Sequence, residues 1–148
     1  MSVSRYRSAS DGRSMDVAYG KKKASTAIAL DELLTLDSNG QLIPAVTAST
    51  TVVGVSLSTV KSTDDNYATT DEIQYDAARD GDEFIMDVND ASTAGFVAGV
   101  ERAIVDSKTI KAAAPGAGEG RLVRVKKVLT ATDQAVVELI TNVDSQNT

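Results

Sequence analysis

Histidine, cysteine and tryptophan are absent from all 148 residues. The side chains left to do chemistry are therefore carboxylates, lysines, arginines and hydroxyls. A Ser-His-Asp or Cys-His arrangement has no residues to be built from, and thiolate metal sites are excluded with it. The carboxylates cluster at Asp64-Asp65, at Asp80-Gly81-Asp82-Glu83 and around Asp87-Asn89-Asp90. Such groups offer hard oxygen ligands to a cation, yet none reproduces a twelve-residue calcium loop with its closing bidentate Glu. Aspartate beside glycine is commoner as a turn former. Paired carboxylates for glycoside hydrolysis call for a sugar cleft, usually aromatic-lined, and four tyrosines with two phenylalanines leave little to build one. Gly116, Gly118 and Gly120 resemble a phosphate loop only in spacing, because Gly120 runs into Arg121 and a strand rather than into Gly-Lys-Ser/Thr and a helix. The chain reads as a protein without enzymatic activity, cofactor or metal.

Charge is the stronger signal. Residues 1–23 carry six basic side chains against two acidic ones, a net of +4, while the rest of the chain has a net of −10. The basic residues are Arg5, Arg7, Arg13, Lys21, Lys22 and Lys23, with Tyr6 between the first two. Basic and aromatic residues together suit nucleic acid stacking, but one tyrosine is thin support for it. An acidic body also opposes wrapping a polyanion. The favoured partner is a protein surface whose carboxylates pair bidentately with the arginine forks and order the segment on binding. Lys21-Lys22-Lys23 marks the junction between this arm and a folded domain.

The elements that must carry the arm are short and aliphatic. Residues 1–24 show neither helical nor strand periodicity and are expected to form an extended arm, followed by a β-rich domain over 25–141 and a flexible tail over 142–148. Thr26 to Leu30 and Leu33 to Leu36 read as strands or one short helix. Asp37-Ser38-Asn39-Gly40 is a turn signal leading to Gln41–Val46, where Pro44 places the strand at an edge or a bulge. Thr50–Ser58 is β-branched, with Gly54 a bulge or a close backbone approach. Strands are expected at 71–75 and 83–88, with a turn at Asp80-Gly81-Asp82. Residues 90–105 favour irregular structure plus one strand over 101–105. A mobile loop is expected at 112–120 and a closing hairpin over 121–141. Turns every ten or so residues predict an all-β fold, a small β-barrel or sandwich. No apolar stretch reaches the roughly 18 residues of a membrane helix, and the amino terminus lacks the apolar region of a signal peptide.

The order of these segments resembles the capsid decoration (cement) proteins of bacteriophages. The resemblance is carried by Ala27-Ile28-Ala29-Leu30 through Leu36, by Asp37-Ser38-Asn39-Gly40-Gln41-Leu42-Ile43-Pro44-Ala45, by Val52-Val53-Gly54-Val55-Ser56-Leu57, and by Gly120–Val125 with Val136-Val137-Glu138-Leu139. It spans about residues 25–141. It implies a non-enzymatic virion protein on the capsid surface, a homo-oligomer with a trimer favoured, whose partner is the major capsid protein and which clamps neighbouring capsid subunits. No membrane partner is expected from the composition, and nucleic acid is the less favoured partner, the alternative function being a nucleic-acid-binding β-barrel that uses the basic amino-terminal arm. The arm matches no family motif, so Arg5, Tyr6, Arg7, Arg13, Lys21, Lys22 and Lys23 stand as capsid-binding candidates on charge alone.

Overall fold

Adjacent leucines at 33 and 34 break the in–out alternation of a half-buried strand, and the fold explains why. The computed structural model describes residues 3–7, 16–47, 49, 51–79 and 81–140. Within them the chain forms strands β1 (Ser4–Arg7), β2 (Val17–Lys21), β3 (Leu33–Leu36), β4 (Leu42–Pro44), β5 (Gly54–Ser56) and β6 (Glu72–Ala77), then β7 (Glu83–Val88), β8 (Glu101–Arg102), β9 (Thr109–Ile110), β10 (Val123–Leu129) and β11 (Gln134–Leu139). The fold is all-β. One sheet runs β1-β7-β11-β10-β8, with β9 added in parallel to β7, and the other runs β2-β6-β5-β3-β4. A parallel bridge from Lys22 to Leu42 brings the end of β2 to β4, so the second sheet curls almost into a closed barrel.

Strand β3 is buried on both faces. Leu33 joins Val55, Phe84, Met86, Val125 and Val137 in the core between the two sheets. Leu34 points the other way, into the barrel, with Ile28, Leu42, Val53, Val60 and Ile73. A strand covered on both sides reads as a continuous apolar run. In β11 Ala135, Val137 and Leu139 are buried in the inter-sheet core, while on the opposite face Glu138 is half-exposed and Val136 is buried.

Turn chemistry sets the connections. The Asp37 carboxylate accepts from the amides of Asn39 (2.8 Å) and Gln41 (2.9 Å), and Gly40 takes φ +75° to close the β3–β4 hairpin. Pro44 sits on β4, the last strand of its sheet, where a missing N–H does least harm. The β10–β11 hairpin closes through a 3-10 turn at Thr130–Thr132, with Asp133 left-handed at φ 50°. A register shift between Val125 and Lys127 puts a bulge into β10.

Several segments differ from expectation. Within the expected arm, β1 pairs antiparallel with β7 and β2 pairs along its length with β6. The burial of β2 never exceeds half-exposed, so it carries no apolar stripe for periodicity to reveal; ladder hydrogen bonds hold it. Residues 8–15 of that arm and the expected tail at 142–148 lie outside the described residues. Thr26–Leu30 forms neither strand nor helix. It makes one bridge, Ile28 to Val60, before Asp31 turns left-handed at φ 58°. In the 50–58 run Thr50 lies outside the described residues, and of the described residues 51–58 only 54–56 form a strand. The strand expected over 101–105 stops at Arg102 because the chain folds back to bridge Ile104 with Ile110, creating β9.

Gly54 is a close backbone approach, as its setting in the sequence implies. A β-carbon there would overlap the Asp76 carbonyl oxygen and lie 2.7 Å from the Tyr75 ring. Gly54→Ala is therefore expected to lower stability by about 3 kcal/mol, the scale of overpacking a rigid site, and to drop the melting temperature by roughly 10 °C. Gly116→Ala meets only the end of the Glu119 side chain, at 3.5 Å, and serves as the control with little change in the same thermal melts.

Candidate functional site

Of the seven arm residues, Arg5, Tyr6 and Arg7 fall on a strand of the first sheet and Lys21 on a strand of the second. In β1, Arg5 stands opposite Phe84 and Arg7 opposite Glu83, with Tyr6 at the register shift between them. Arg13 lies outside the described residues. Lys21 ends β2 opposite Glu72 and is exposed, as is Lys23. Strand alternation sends the residue between them the other way.

Lys22 is wholly buried, at 0% exposure. Its ammonium donates to the carbonyls of Tyr67 (2.7 Å), Thr69 (2.8 Å) and Lys23 (3.2 Å), and it lies 5.8 Å from the centre of the Tyr67 ring. Three N–H donors meet three acceptors, so the charge is solvated by carbonyl dipoles and an aromatic face. Two more bonds tie the same region: Ser25 N to Tyr67 O and Lys22 N to Asp71 O. Lys22 thus pins the 61–71 loop against the barrel and presents no charge to a surface partner. As a capsid-contact candidate it is corrected on that ground: a side chain without exposure has nothing to offer a docking subunit.

Two other buried polar side chains do similar structural work, and neither stood out in the sequence. Arg102 donates to the carbonyls of Ala112 (2.9 Å), Glu101 (2.9 Å) and Gly95 (3.2 Å), anchoring the irregular 91–100 segment to the first sheet. Glu32, at the start of β3, accepts from the Ser107 hydroxyl (2.6 Å) and from the Ala29 amide, joining the barrel to the turn before β9. The buried acid and the hydroxyl sit 75 residues apart in sequence, so no local pattern marks the pair.

The acidic clusters serve turns. Asp64 accepts from the Lys61 amide, Asp82 from the Arg79 amide, and Asp90 from the amide and hydroxyl of Ser92. The Ser92 bonds hold the Asp90 carboxyl below the usual range. Asp87 accepts from Gln134, and Asn89 from the Ala112 amide. Among the described residues no three acidic side chains converge as a metal site would require. The 112–120 loop is likewise tied: Glu119 accepts from the Gly116 amide at 2.7 Å and pairs with Lys111 at 2.9 Å.

The outer face of the β10–β11 hairpin carries a charge network. Arg124 bridges Glu138 (2.8 Å) and Glu101 (3.0 Å), which raise its already high proton affinity, and Lys126 approaches Glu138 at 4.0 Å. Lys126 and Lys127 are exposed, a common guard against edge-to-edge pairing. An open, mainly apolar crevice of about 500 Å³ lies between Ala27, Ala29 and Glu32 on one side and Val60 and Ser62 on the other. Both oxygens of Glu32 are already engaged there. The exposed large apolar side chains among the described residues are Val17, Tyr19, Leu30, Leu36, Val46, Val97 and Val105, of which Val17 and Tyr19 share one face of β2. No helix among the described residues is long and apolar enough to cross a membrane.

No protein-family model matches this chain, and no curated protein matches it by sequence.

Two outcomes follow from the pinned loops. Lys22→Met removes the donors of three carbonyls, of which, among the described residues, only Tyr67 O keeps an amide partner, in Ser25. A loss of about 3 kcal/mol is expected, the scale of leaving buried acceptors unmet, with protease cutting and amide exchange rising first within residues 61–71. Glu119 behaves as a depressed carboxylate, chiefly through the Gly116 amide and then through Lys111. A lowered folded-state value means that its contribution is complete above the ordinary glutamate range and fades as pH falls through the lowered value. The protection of the Gly116 amide, the slowing of its exchange relative to an unstructured amide at the same pH, is expected to fall on acidification below that range, and Glu119→Gln should remove this step.

Proposed function

We propose that this protein is a structural virion subunit of the decoration or cement type, which binds the outside of an assembled phage capsid and stabilises contacts between major capsid subunits. What carries the proposal is the charge asymmetry laid on this frame. A segment of net +4 enters the edges of both sheets on a body of net −10. Opposed potentials of this kind steer and orient a protein partner more than they add raw affinity. The all-β frame supports the same reading, because its buried polar side chains Lys22, Arg102 and Glu32 are used to hold loops. A homo-oligomer, with a trimer favoured, is part of the proposal, as is a location on the capsid surface. The contact residues proposed are Arg5, Tyr6, Arg7, Arg13, Lys21 and Lys23.

The test is co-sedimentation with assembled phage capsids stripped of their own decoration subunits. Deleting residues 1–23 is unsuitable, since it removes β2 and Lys22 and with them one wall of the barrel. Charge reversal at Arg5, Arg13, Lys21 and Lys23 leaves Lys22 in place. Binding is expected to weaken at least tenfold, with circular dichroism unchanged. Undiminished binding by the reversed variant would refute the role of the arm. No binding by the native protein, together with DNA affinity falling steeply with salt, would replace the proposal with a nucleic-acid-binding barrel.

A further inference from the structure

Strand β1 is an unusual part of the first sheet. It has four residues near the amino terminus, pairs among the described strands with β7 alone, and its register slips between Arg5 and Arg7. Ser4 lies opposite Ile85, Arg5 opposite Phe84 and Arg7 opposite Glu83. Just before it, Val3 is buried in the inter-sheet core, and its amide donates to Asp31 O at 2.8 Å. The same edge of β7 continues into β9, which takes Asp87 and Val88. The β1 position is thus a bounded slot: one short strand's length of ladder beside a hole for one valine.

The slot does not tolerate being empty. Without β1, the edge of β7 at Phe84–Ile85 and the valine hole would both face water, leaving an open template for another chain. The slot takes a short backbone ladder and one aliphatic side chain, Val3, which every copy of the protein supplies identically. The sequence joining β1 to β2 is Ser-Ala-Ser-Asp-Gly-Arg-Ser-Met-Asp over residues 8–16, without proline. A stretch of that length spans up to about 30 Å, enough to cross between sheets in one molecule or to reach a neighbour.

We propose that β1 is an exchangeable strand, so that in assemblies of this protein the β1 of one copy fills the β7 slot of a second copy. The contacts are the same in the closed and the exchanged forms, so concentration and the geometry of the assembly decide between them. The partner is another copy of this chain. The inference stands on β1 and β7 alone and is independent of capsid binding.

A chain without cysteine makes the test clean. Ser4→Cys and Ile85→Cys are prepared as separate proteins, since directly opposed residues in an antiparallel pair approach closely enough for a disulfide. The two are mixed, unfolded and refolded together over a range of concentrations, then oxidised. Exchange predicts a covalent dimer linked between positions 4 and 85, identified by peptide mass, with a yield that rises with concentration. The doubly substituted chain checks the register. If it closes within one chain while the mixture gives no 4–85 dimer at any concentration, β1 serves only its own molecule and the proposal falls. If neither preparation forms the 4–85 link, the β1–β7 register itself fails and the proposal falls with it.

Discussion

Burial of β3 on both faces is the constraint from which the rest of the architecture follows. Leu33 and Leu34 are both essentially inaccessible, one in the core between the sheets and the other inside the barrel. Two neighbouring residues can face two different cores only if one sheet curls behind the strand while the other packs in front. The curl is completed by the Lys22–Leu42 bridge, and Gly54 lets β5 approach β6 without a side chain in the way. Each fully buried leucine contributes about 2 kcal/mol by area. Because β3 serves both cores, disturbing it loosens two layers at once.

With so few aromatic residues, the interior relies on buried polar side chains to fix its loops. Lys22, Arg102 and Glu32 each hold a connecting segment through backbone carbonyls, a backbone amide or a hydroxyl. Satisfied buried networks of this type rigidify a fold, and the same low dielectric makes each partner costly to lose.

Much of this was readable where a strand has one wet face. Alternation in β7, β10 and β11, and the Asp-Ser-Asn-Gly turn before β4, correspond to observed elements because one side of each strand meets water and the other meets the core. β2 was hidden because main-chain pairing holds it, and main-chain pairing leaves no trace in side-chain pattern. Lys22 was hidden by its neighbours: three consecutive lysines look like a solvated run. The available signal was that β2 extends into them, so alternation must turn the middle one inward.

Composition and local pattern determined, without any structure, that the chain folds as β-sheet, that histidine and thiol chemistry are closed to it, and that a cationic amino terminus precedes an acidic body. Those properties belong to residue types and to neighbours in sequence. Tertiary structure alone decided which strands share a sheet, that the amino-terminal segment contributes strands to both, and which of three identical lysines lies inside. Those outcomes depend on contacts such as Lys22 with Thr69 and Glu32 with Ser107, between residues 47 and 75 positions apart. The free energy of such contacts exists only after the chain has folded back on itself.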